Sequence, residues 1–122
     1  MELRELSEDE RIALVALLEM VVASDGNVTR EELSQIKRVI HELGEKTYRA
    51  AVAEADRRFA DDDAARAFLL TIERPEVREL IYETALEAAI ANSIGPKESE
   101  LLTWLAEHWK LPIRFAQIDG ES

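Results

Sequence analysis

Asp25, Glu32 and Glu98 are the side chains whose type and spacing suit the capture of a hard cation. The stretch from Val21 to Leu33, VVASDGNVTREEL, sets Asp25, Gly26 and Asn27 just ahead of Val28, Thr29 and Glu32. A helix-loop-helix calcium loop takes oxygen ligands from its positions 1, 3, 5, 7, 9 and 12, with glycine at 6 and a bidentate glutamate at 12. On that template Asp25 is position 5, Gly26 position 6, Asn27 position 7, Val28 the apolar position 8, Thr29 position 9 and Glu32 position 12. Positions 1 and 3 fall on Val21 and Ala23, which bring no side-chain oxygen, so a standard calcium loop is excluded. The half-loop that remains needs water or another helix to complete a shell of about six or more oxygens.

A second hairpin near the C-terminus offers that completion. Shifted by 66 positions, Val28 meets Ile94, Glu32 meets Glu98, Ile36 meets Leu102, Val39 meets Leu105 and Leu43 meets Trp109. The same shift puts Glu87 at loop position 1, Asn92 at 6, Gly95 at 9 and Glu98 at 12, with Ala91 in the place of Asp25. A purely structural account fits the same residues: Asp25-Gly26 as a turn, Thr29 with Glu32 as a capping box, and Val28 as the staple before it.

Helices must position these groups. Ser7 with Glu10 has capping-box spacing and starts a first helix running to about Ser24. Leu33, Ile36, Val39, Ile40 and Leu43 form the apolar stripe of a second that ends at Gly44. A third covers Glu45 to about Phe59 with Tyr48, Val52 and Phe59 inward, and a fourth opens on Asp61, Asp62 and Asp63 and ends near Glu73, before Pro75. A fifth extends to about Asn92. A sixth starts at Pro96, turns Leu101, Leu102, Leu105 and Trp109 inward, and stops before Pro112. No alternating strand pattern occurs, so the expected fold is all-α: one domain over 1–122, with a core of about 8–111, a tail of 112–122, and two hairpins in pseudo-two-fold relation.

Composition bounds the function. Hydrophobic residues make up 47% of the 122 positions, enough for a single core. The net charge of −11 repels phosphate backbones, which argues against nucleic acid as a partner. There is no cysteine, which removes disulfides and thiolate chemistry and fits a cytoplasmic protein. The charged N-terminus predicts no signal peptide, and the longest nearly apolar run, IALVALLEMVVA, contains Glu19 and is too short to span a membrane.

Other groups offer less. His41 and His108 lack ligand-pair spacing, the four glycines are scattered, and no nucleophile has a base beside it, so catalysis is not expected. Glu19, on a stripe with Ile12, Val15 and Val22, points inward in this reading, either paired with an arginine such as Arg11 or Arg78 or snorkelled out to water. Trp104 and Trp109 are five apart, so only one sits squarely on the core stripe and Trp104 covers a core edge.

The element ASDGNVTREEL followed by an amphipathic helix, with its degraded copy IANSIGPKESELLTWLAEHWKL, resembles the tellurite resistance TerB family over about residues 8–111. The resemblance implies a compact all-α domain linked to tellurite and general stress resistance, with acidic residues that bind metal. The matching positions are Asp25, Glu32 and Glu98; Glu87, from position 1 of the shifted loop template and not from the resemblance, would be an extra ligand. Ala91 and Asn92 depart from the Asp-Gly of the pattern. An all-oxygen set favours Ca, Mg or Mn over Zn. The alternative expectation is a metal-free helical module that binds a protein partner or forms a homo-oligomer.

Overall fold

The computed structural model describes residues 1–23, 30–90 and 95–111, apart from the side chains of Ala23, Glu31 and Glu32. Among them a single 3-10 turn, Leu3–Glu5, precedes six helices: α1 (Glu8–Ala23), α2 (Arg30–Leu43), α3 (Glu45–Arg58), α4 (Asp62–Leu69), α5 (Pro75–Ile90) and α6 (Pro96–Trp109). No strand occurs among the described residues, and the fold is all-α.

The helices begin where local chemistry predicts. The Ser7 N–H donates to Glu10 Oε1 at 2.7 Å, and the Glu10 N–H donates to Ser7 Oγ at 3.3 Å, the reciprocal pair of a capping box. Gly44 has φ +92°, a backbone conformation that a side chain would strain, and so separates α2 from α3. Asp61 Oδ1 accepts from the Ala64 N–H at 2.9 Å and caps α4.

α1 is central and packs on α3, α4 and α5, while α5 also holds α2 and α6. From Ile12 to Leu18 every residue of α1 is buried, which is why its apolar residues cover all faces and form no stripe. Leu14, Leu17, Ile81, Tyr82, Leu102 and Leu105 make the centre of the main core. Leu101, Leu102, Leu105 and Trp109 all face inward, as α6 periodicity predicts.

Four expectations need correction. α4 ends at Leu69, not near Glu73, because the chain turns at Leu70 and Thr71, and Ile72 folds back into the core. On α3, Tyr48, Val52 and Phe59 do pack inward, half-buried, but the fully buried face is Ala51 and Ala55, against a small core with Ile12, Val15, Ala16 and Ala65. Alanines there let α3 approach α1 closely, and the larger side chains close the edges. Leu33 is 45% exposed, because α2 reaches the core through Val39 and Leu43 in its second half. The core also begins earlier than residue 8, since Leu3 and Leu6 are buried.

The duplication is visible in the helix boundaries. α1 and α5 start 67 positions apart, at Glu8 and Pro75, whereas α2 and α6 end 66 apart, at Leu43 and Trp109. From the start of its first helix to the end of its second, the second hairpin is therefore one residue shorter than the first, and the single shift of 66 holds only for the second helix of each hairpin. Local contacts follow the register of α1 and α5: Arg11 Nη1 donates to the Leu6 carbonyl at 2.8 Å, and Arg78 Nε, 67 positions on, donates to the Ile72 carbonyl at 2.7 Å. Both arginines tie the chain entering a hairpin to its first helix, so neither partners Glu19.

Candidate functional site

Glu98 is the third residue of α6 and, counted back from the helix ends at Trp109 and Leu43, stands in α6 where Glu32 stands in α2. Its side chain is 1% exposed, and Oε1 accepts from the Gly95 N–H at 2.7 Å, fastening the loop to the helix it enters. Space here is tight, since a Cβ at residue 95 would stand 3.1 Å from Glu98 Oε1. Glu98 and Glu10 are the buried charged residues among those described. A carboxylate this deep needs fixed dipoles or a cation to offset its lost hydration.

Glu87 is placed differently. It is exposed on α5, with Oε1 3.6 Å from Arg38 Nη1, and Arg38 is also paired with Glu42 at 3.2 Å. In the register of α1 and α5, Glu87 corresponds to Met20, while the buried Val21 corresponds to the buried Ala88. Glu87 thus leaves loop position 1. Asp25, Asn27 and Thr29 lie outside the described residues, as do Ala91 and Asn92 and the side chain of Glu32. Among the described residues no group of three or more His, Asp or Glu side chains converges as a metal site.

A second feature was not visible in the sequence: a cleft of about 610 Å³ between α1, α3, α4 and α6. Its floor includes Ala16, Ala55 and Ala65, while Glu19, Asp56 and Glu100 stand among its walls. Glu19 is exposed at this cleft and does not point into the core. Burial of part of its carboxyl, then the nearby Asp56 charge, push its pKa above the ordinary value. Among the described residues neither Glu19 nor Asp56 takes part in an ion pair. A raised carboxyl pKa means that its ionisation costs more in the folded chain than in the unfolded one, so its stability contribution is present at low pH and lost as pH rises through the folded value. Glu19→Gln is therefore expected to raise the melting temperature at pH 7 and to leave it nearly unchanged below pH about 4, read by thermal denaturation at both.

At the rim of this cleft Arg66 holds its guanidinium 4.9 Å from the Trp104 ring centroid, and the His108 ring lies 4.9 Å from the same indole. Trp104 is half-buried and covers the edge of the core, as expected. His108 and His41 are exposed.

No family model, curated protein or solved structure matches the chain. No helix among the described residues is long and apolar enough to cross a membrane.

Proposed function

We propose that the chain is a TerB-like stress-response domain that acts by binding rather than catalysis, holding a divalent cation through Asp25 and Glu32 of the first hairpin with Glu98 of the second. The supporting observation is Glu98 itself: a carboxylate 1% exposed, at the same helical position as the glutamate that closes the half-loop. Glu87, exposed and engaged by Arg38, is the outlying member of the set. Oxygen donors select Ca, Mg or Mn over Zn. The test is the melting of chelator-stripped protein as each ion is added. A saturable rise of several degrees with one ion, abolished by Asp25→Asn or Glu32→Gln, is the expected result; no rise with any ion ends this reading.

The cleft favours a second reading, a helical interaction module that needs no metal. A concave surface of about 610 Å³ is in the size range of binding sites, and its alanine floor leaves room that a larger side chain would occupy.

A further inference from the structure

The cleft combines two surfaces that a single kind of ligand matches. Ala16, Ala55, Ala65, Met20, Phe59 and Leu101 line it with apolar surface. Around them stand five carboxylates, of Glu19, Asp56, Asp61, Asp62 and Glu100, against two cations, Arg66 and Lys97. Arg66 is already held over the Trp104 ring, and one oxygen of Asp61 is spent on capping α4. Glu19 and Asp56 face a common space from α1 and α3, with no ion pair among the described residues to relieve their repulsion. A bare metal ion would gain nothing from the apolar floor. A second copy of the chain is disfavoured, because two molecules of charge −11 would have to join at an acidic face. What complements both surfaces is a side chain with an apolar stem and a positive end, presented repeatedly from one face of a helix.

We propose that this cleft is a docking groove for a basic amphipathic helix of a partner protein. Lysine or arginine stems lie on the Ala55 and Met20 surface, and their charged ends meet Glu19 and Asp56. This rests on the interaction-module reading and names its partner class.

The probe is a fluorescein-labelled peptide of about 14 residues, nearly four helical turns, with leucine on one face and lysine on the other. Its leucine-glutamate counterpart and spermine serve as comparisons, and binding is read by fluorescence anisotropy on the full chain. Saturable binding of the basic peptide alone is expected. The Glu19→Gln, Asp56→Asn double variant should weaken it by roughly fivefold to tenfold, and Ala60→Trp, which plugs the cleft from its exposed edge, by at least as much. The Glu79→Gln, Glu107→Gln variant, with the same charge change at exposed sites that do not line the cleft, should leave binding as it was. Equal weakening by the two charge variants, or full displacement by spermine, overturns the groove in favour of diffuse attraction or a small polycation. Binding that neither cleft variant alters overturns it while leaving the interaction module standing elsewhere on the surface. No saturable binding overturns it too, and a monomer in sedimentation would then remove the self-association form of the module. Circular dichroism checks that each variant folds; if Ala60→Trp does not, the paired charge variants decide the outcome alone.

Discussion

Glu98→Ala is expected to lower the melting temperature by roughly 10 °C, while Glu98→Gln lowers it by only a few degrees. Alanine removes the acceptor of the Gly95 N–H and most of a side chain that is 1% exposed. The lost partner and the space left behind together cost about 3 kcal/mol, and each kcal/mol is worth about 4 °C in a domain of this length. Glutamine keeps a carbonyl oxygen where Oε1 stands, so the cap survives and only the charge is lost. The pair thus separates two roles for one residue. If Glu98 also serves a cation, Glu98→Gln abolishes the ion-dependent rise in melting temperature at little cost to the ion-free protein. If it is a cap alone, Glu98→Gln leaves the ion response of the stripped protein unaltered. Scanning calorimetry of both variants, with and without added ion, gives the answer. Should Glu98→Ala melt as the parent does, the anchoring role assigned to its buried carboxylate is wrong.

The elements were more legible than the surfaces they make. Capping residues and prolines mark helix ends through local chemistry, so Ser7 with Glu10, Gly44, Pro75 and Pro96 located boundaries from sequence. Burial was less legible wherever alanine carried the contact. Ala51 and Ala55 look like generic helix formers, yet they are the buried face of α3, and Ala55 together with Ala16 and Ala65 leaves the space that becomes the cleft. A search for large apolar residues therefore turns α3 toward Tyr48 and Val52 and misses the groove. Leu33 was misplaced for a related reason: periodicity gives a helix its face but not how much of its length reaches the core.

The candidate site was legible as a list of carboxylates and not as an arrangement. One residue fewer between the start of α5 and the end of α6 than between the start of α1 and the end of α2 is enough to slide Glu87 out of the loop register, and helix boundaries reveal it where apolar matching does not. Long-range pairing was equally hidden. Arg74 stands just before α5, in the position that Ser7 holds before α1, but its side chain crosses to the other hairpin and meets Glu10.

That crossing predicts the acid sensitivity of the fold. Arg74 Nε and Nη2 donate to Glu10 Oε2 and Oε1 at 2.9 and 2.7 Å, a two-point bridge between residues 64 positions apart. The guanidinium, followed by the Ser7 hydrogen bonds, outweighs burial and holds the Glu10 carboxyl well below its ordinary 4.5, at about 2. A carboxyl whose pKa falls on folding stabilises the fold above its unfolded value, so the contribution is complete above pH 4.5 and drains away as pH drops toward about 2. The displacement corresponds to about 3 kcal/mol, and the half-exposed Arg74 partner reduces this to about 2. Glu10→Ala should therefore lower the melting temperature by roughly 8 °C at pH 7, and the gap between variant and parent should shrink at pH about 3. Thermal denaturation of variant and parent at the two pH values measures it. A gap that stays constant with pH would mean that the loss is one of packing and capping, with no ionic bridge between the hairpins. A closing gap would mean that this bridge ties the start of α1 to the start of α5, and that acid loosens the joint between the hairpins before it reaches either core.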